Sequence, residues 1–275
     1  MATFTSTSPL HPQAQPFNDK QTAELESQGI SAIRIDYGPR DLLGRFFLMA
    51  DHALHNMGIS LSFGTFEELV ATNLSNRDSW FPLVPLYDPR NGLCAPTTSY
   101  VLIGRNAHGQ IVTAQGAHIF NLQHTNFKTE AESLRLFYAS PETMARPGEA
   151  CLVTAPSASQ LTNTVAFLGG AWWHPSVRGH FLGRLLARIS RAYAFTRWHP
   201  DLTLALMSEK LIAKGFPLRN GYQHIELGVG FRNFELGDID LGMVWITAGE
   251  LFHELSAFTS TLEIELRRDG SVRTA

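Results

Sequence analysis

The order of apolar and polar positions along the chain predicts alternating helices and strands. Ile33, Ile35 and Tyr37 alternate with Arg34 and Asp36, a period of two that predicts a strand closed by Gly38-Pro39. From Arg40 to Met57 the apolar residues, Leu43, Phe46, Phe47, Ala50 and Leu54 among them, recur at helical spacing until Gly58 stops the run. Thr65 and Glu68 form a capping-box pattern that opens a second helix over 66–74. A loop with Pro82, Pro85, Pro89 and Pro96 follows. Two strand-like runs, 100–105 and 110–120, flank the turn Asn106-Ala107-His108-Gly109 and predict a hairpin. Thr129 and Glu132 predict a capped helix reaching Ala139. The run from Val165 to Trp173 is apolar with little alternation, as in a strand buried on both faces. A helix, a strand over 202–207, a short helix over 208–214 and strands over 221–230 and 239–246 complete the series. Thr247 and Glu250 cap a last helix, with fraying expected from Arg267.

Composition narrows the class. The 275 residues carry a net charge of −3, which gives no electrostatic reason for a nucleic-acid partner. Charged residues make up 17%, below the roughly 25% of an average soluble domain. Hydrophobic residues at 44%, with 18 Phe, 6 Tyr and 5 Trp, fill a core and exclude a wholly disordered chain. The two cysteines, Cys94 and Cys151, make neither a disulfide scaffold nor a four-cysteine zinc site. No apolar run reaches about 18 residues, so no spanning helix is expected. The first thirty residues lack the basic start and apolar stretch of a signal peptide, so a cytoplasmic location is expected. The organisation expected is an N-terminal extension over 1–29, mobile through its proline-rich start or partly helical where Asn18 and Asp19 can cap a short helix ended by Gly29, one mixed α/β domain over 30–258, and a C-terminal extension over 259–275.

The segment from Ala171 to Leu186 carries the strongest chemical signal. A buried strand ends at Trp173, and a turn containing Pro175 and Gly179 leads into a helix. Leu182, Leu185, Leu186, Ile189 and Tyr193 fall on one face of that helix, and Arg184, Arg188 and Arg191 on the other. A helix entered through small residues offers unpaired backbone N–H groups to a phosphate, with Arg178 and Arg184 able to add charge-assisted contacts. The alternative is a plain strand–turn–helix connection with a solvated arginine face.

Trp173 to Gly183 resembles the acetyl-CoA-binding motif of the GNAT superfamily of N-acetyltransferases, V-x-P-x-x-R-G-x-G-x-G. Pro175, Arg178, Gly179 and Gly183 match in register, Trp173 takes the valine position, and Phe181 replaces the middle glycine. Lys214-Gly215-Phe216, followed by Tyr222, resembles the later K-x-G-F motif with one residue fewer. The resemblance spans about 30–246 and implies a GNAT-like mixed central sheet flanked by helices. It implies that the strand before the phosphate turn splays from its neighbour to admit the pantetheine arm of acetyl-CoA or another acyl-CoA. Trp172 and Trp173 would then supply main-chain contacts, while Gly179, His180, Phe181, Leu182, Gly183 and Arg184 would cradle the pyrophosphate.

The chemistry implied is direct attack of an amine on the acyl thioester, with a base for the ammonium and an acid for the leaving thiolate. The position where many family members place a tyrosine falls at about Leu211, so Tyr222, Tyr193 and Ser208 stand as substitute acids. His174 beside the turn and His118 on the hairpin strand are candidate bases, with Glu226 third. The aromatic residues Phe46, Phe47, Phe63, Phe66, Trp80, Phe81 and Tyr87 suit a lid over the acceptor side, but core packing accounts for them more cheaply. No metal site is expected: His52 and His55 lie three apart and His118 and His124 flank a strand end, without a third ligand at zinc spacing. Neither a P-loop nor a Rossmann fingerprint occurs. The function expected is transfer of an acyl group, acetyl first, from CoA to a small-molecule or peptide amine. No nucleic-acid or membrane partner is expected, and a homodimer is allowed. The alternative is an inactive acyl-CoA-binding sensor or interaction domain, to which Phe181 and the leucine at 211 point.

Overall fold

A computed structural model describes residues 29–30, 33–178, 182–235 and 237–272. The expected tail, the turn residues Gly179, His180 and Phe181, and the last three residues lie outside them. The chain order is α1 (Arg40–Asn56), β1 (Ile59–Gly64), α2 (Phe66–Ser75), β2 (Ser99–Asn106), β3 (Ile111–Leu122), α3 (Phe127–Glu132), α4 (Pro141–Met144) and β4 (Ala150–Val153). It continues with β5 (Asn163–Trp173), α5 (Leu182–Trp198), β6 (Leu202–Ser208), α6 (Glu209–Ala213), α7 (Phe216–Arg219), β7 (His224–Phe234), β8 (Gly237–Thr247) and α8 (Ala248–Val272).

The strands form one eight-stranded sheet in the order β1-β2-β3-β5-β6-β8-β7-β4. Every pairing is antiparallel except β5 with β6. This is the mixed α/β architecture that the periodicities predict. Apolar cores cover both faces of the sheet. On one face α1 and α5 pack through Phe46, Phe47, Leu186 and Ile189, joined by Leu255 and Leu262 of α8. On the other, Leu69 of α2, Phe127 of α3 and the proline-rich segment lie over Phe120 and Phe167. No helix of the described residues is long and apolar enough to cross a membrane.

Several elements depart from the periodicity. Residues 33–36 form no strand. Ile33 packs into the helical core, and Tyr37 donates its N–H to Thr196 O at the end of α5, so the alternation there follows a helix surface. The sheet edge belongs instead to β1, whose Ile59, Leu61 and Phe63 alternate inside a six-residue strand. Asn126, not Thr129, caps α3 by accepting the Thr129 N–H at 2.9 Å, and the helix ends at Glu132 before Leu134 turns to φ 62°. α8 continues through Arg267 to Val272. Cys151 sits buried in β4, and Cys94 is half-buried, both as free thiols.

The arginine stripe of α5 is not a solvated face. From Leu185 to Thr196 every residue of the helix is buried, because α8 covers the side turned away from the sheet. Arg188 and Arg191 lie beneath α8 and share the Glu254 carboxylate, and only Arg184 of the three is exposed.

Candidate functional site

The one parallel pair of the sheet is incomplete. Val165, Ala166 and Phe167 of β5 register with Leu202, Thr203 and Leu204 of β6, and there the pairing stops. Both strands run on. β5 follows β3 to Trp173, while β6 follows β8 to Ser208, so a wedge opens between them in the middle of the sheet. Burial changes at the same level. Residues 165–168 and 202–205 are buried, whereas Gly169 and Gly170 are half-buried, Ala171 is exposed, and Leu206, Met207 and Ser208 are half-buried. The splay that the family resemblance implies is therefore present.

A bulge shapes the β5 side of the wedge. Ala114 registers with Trp172 and Gly116 with Gly169, which sets Gly170 and Ala171 together opposite Gln115. Gly170 has φ 59°, the left-handed conformation that a glycine provides at the first position of such a bulge. The extra residue reverses the alternation, so Trp172 faces the α2 side and stacks on Trp80 with centroids 4.9 Å apart. Trp173 faces the other way, edge-on to Phe216 at 5.9 Å. A Cβ on Gly183 would lie 3.9 Å from the same indole. The strand end, the first turn of α5 and the Gly215-Phe216 pair thus meet around Trp173.

The carbonyls at the end of β5 have protein partners. Trp172 O accepts from the Thr113 hydroxyl at 2.7 Å, and Trp173 O accepts from Arg178 Nε at 3.0 Å. Arg178 also donates to Ser79 O at 2.6 Å, so its exposed guanidinium bridges β5 to the segment after α2. His174 is half-buried at the turn, and its Nδ1 lies 2.7 Å from the Ser176 hydroxyl and accepts the Ser176 N–H.

The remaining predicted residues are spread over both faces. His118 is fully buried on β3 among Phe66, Tyr87 and Phe120. Tyr222 is buried on the opposite face, with the Arg191 guanidinium 4.6 Å from its ring centroid, and burial raises its pKa. Tyr193 packs in the helical core against Phe63 and Tyr100. Glu226 of β7 receives the Ser157 N–H at 2.9 Å and the Ser157 hydroxyl at 2.5 Å, beyond β8 and away from the wedge. Ser208 ends β6, and Leu211 is exposed on α6. Among the described residues no group of three His, Cys, Asp or Glu side chains could hold a metal ion.

Sequence reasoning missed the relation between Tyr87 and the glycines of the central strands. Gly116 and Gly169 are direct cross-strand partners, and the Tyr87 ring packs against both. A Cβ on Gly116 would stand 2.7 Å from the ring's Cδ1, and one on Gly169 would collide with the hydroxyl. Leu83 occupies the equivalent space above Gly170, with a Cβ there 2.9 Å from its Cδ2. The available signal was the Gly169-Gly170 pair within an apolar strand, which marks a bulge or a close approach.

No family model and no curated protein sequence matches the chain. Among solved structures, the chain is similar to a mutant of the spermidine N-acetyltransferase SpeG from Vibrio cholerae, at 10% identity and a TM-score of 0.41, over 71% of this chain and 97% of that one. A dodecameric spermidine N-acetyltransferase from the same organism gives 11% identity and a TM-score of 0.39, over 70% and 95% of the two chains. The enzyme AAC(6')-Ib in complex with ribostamycin and coenzyme A gives 13% identity and a TM-score of 0.39, over the same shares.

Proposed function

We propose that the chain is an acyl-CoA-dependent N-acyltransferase that moves the acyl group, acetyl first, to an amine by direct attack. The observation that carries this reading is the parallel pair that parts after three residues. Strand backbone left unpaired in the middle of a sheet requires a hydrogen-bonding partner. The pantetheine arm of CoA is an extended chain with two amides, so it can add to the free edge of β5 at Gly169–Ala171 as a short strand would. At the far end of that edge the chain turns into α5, a 17-residue helix whose first turn, with Gly183 and Arg184, would face the pyrophosphate. The amine nitrogen forms a bond to the thioester carbonyl carbon, the C–S bond breaks, and the proton shed by nitrogen ends on the CoA sulfur.

Calorimetric titration with acetyl-CoA, CoA and adenosine diphosphate tests the reading. Acetyl-CoA and CoA are expected to bind with micromolar affinity, and adenosine diphosphate more weakly because it lacks the arm. Incubation with a panel of primary amines is then expected to release free thiol. Absence of binding by both CoA species would overturn the reading.

A further inference from the structure

The two faces of the wedge differ. At its apex Ala166 and Leu168 of β5 are fully buried beneath α5. On the α2 face, Gly169 and Leu206 each lie two residues beyond the last β5–β6 pair, Phe167 with Leu204, and so stand on opposite banks. Leu206 is half-buried and packs against the α2-side core, as Leu204 does two residues earlier. Above the β5 bank Leu83 is half-buried, and a Cβ on Gly170 would lie 2.9 Å from its Cδ2. The turn Pro85–Tyr87 holds it there through the Tyr87 ring packed on Gly116 and Gly169. Val84 is half-buried next in the chain, and Phe81 is 61% exposed two residues before Leu83. The rim of the wedge on this face is thus apolar and in contact with water. Beneath the rim, Leu86, Tyr87 and Phe167 fill the core. Leu206 registers with Met243 and Met243 with Glu226, which puts one carboxylate in the same cross-strand row. Both of its oxygens accept from Ser157, so the row offers no free carboxylate to an ammonium.

We propose that the acceptor is a primary amine on an apolar body, an alkylamine or arylalkylamine, which lies against Leu83 and Leu206 as its nitrogen reaches the thioester. The proposal rests on the acyl-CoA reading above and gives its amine a chemical class. With the pyrophosphate at the Trp173 end of β5, the arm runs toward Phe167 and brings the thioester to the apex, where α5 closes one face. The amine therefore arrives over the α2 face. Burial of its apolar body against the two leucines supplies the affinity. Apolar walls also disfavour an ammonium, and attack on the thioester requires the free base. A long acyl chain is a poorer occupant of the same surface, because the filled core beneath leaves it no channel.

The test measures thiol release from acetyl-CoA by the full-length protein with ethylamine, hexylamine, 2-phenylethylamine and 1,4-diaminobutane. Hexylamine and 2-phenylethylamine are expected to exceed the other two by at least about tenfold in kcat/KM. Leu206→Glu places a free carboxylate on the β6 bank and is expected to lower that ratio at least about tenfold, with CoA affinity by calorimetry unchanged. CoA binding also reports that the variant is folded, and the wild-type ranking carries the test if it is not. Rates indifferent to the apolar body, or a preference for the diamine, overturn the proposal. So does CoA binding without thiol release by any of the four amines. Rates that follow acyl length, rising from acetyl-CoA to octanoyl-CoA while indifferent to the amine, assign the surface to the acyl chain and overturn it too. Failure of the wild type to bind CoA would instead overturn the acyl-CoA reading on which it rests.

Discussion

Arg188, Arg191 and Glu254 show how one residue's role depends on an element far along the chain. Arg188 donates through Nε to Glu254 at 2.8 Å and through Nη1 to Arg184 O at 2.8 Å, and its guanidinium also stands 3.9 Å from the Phe258 ring centroid. Arg191, with no exposed surface, donates to Asn220 O at 2.5 Å. Burial pulls the Arg188 pKa down to about 10 against the attraction of Glu254. Two guanidinium groups thus depend on one carboxylate. Replacing Glu254 with Gln is expected to destabilise the protein by about 3 kcal/mol, because breaking a buried pair strands charge away from water. Urea denaturation measures this, and Arg188→Met in the same background is expected to recover part of the loss. Helical periodicity places these arginines correctly on one side of α5. It does not reveal that the side is covered, since the covering partner lies 66 residues later.

At the scale of elements, local hydrogen-bond chemistry was the most legible part of the sequence. Thr65 accepts the Glu68 N–H at 3.1 Å as its spacing predicts, and Thr247 and Glu250 satisfy each other's backbone N–H groups at the start of α8. Thr65→Ala is expected to cost about 1 kcal/mol in chemical denaturation, the usual loss for a side-chain cap. The hairpin β2–β3 and the strand–turn–helix into α5 were legible because turn residues punctuate long apolar runs. Short elements were not. β4 has four residues and owes its strand geometry to β7, while the helix start at Asn126 competed with an equally good pattern at Thr129. The bulge at Gly170 was beyond periodicity, because one inserted residue reverses the facing of Trp172 and Trp173 without altering composition. For the same reason the wedge could be expected only from the motif resemblance.

For the whole molecule, the sheet consists of two four-stranded halves whose backbones pair, among the described residues, through the short β5–β6 register. The helices on one face hold those halves together. α8 buries Leu251, Leu255, Phe258 and Leu262 against α5 and α1, so the last helix is part of the core. A chain ending at Thr247 is expected to lose cooperative unfolding in a calorimetric scan, since it bares the apolar back of α5 together with Arg188 and Arg191. The mixed class and six of the eight strands were readable from the sequence, whereas β1, β4 and the strand order were not, because order depends on pairings between distant segments. β4 gives that distance a consequence in time. It is made before β5 but pairs at the opposite edge with β7, about 80 residues later. At about 5–20 residues per second, several seconds of translation separate the two partners. During that interval a nascent chain holds β1, β2, β3 and β5 complete, with Cys151 and its neighbours waiting for an edge that has not yet been synthesised.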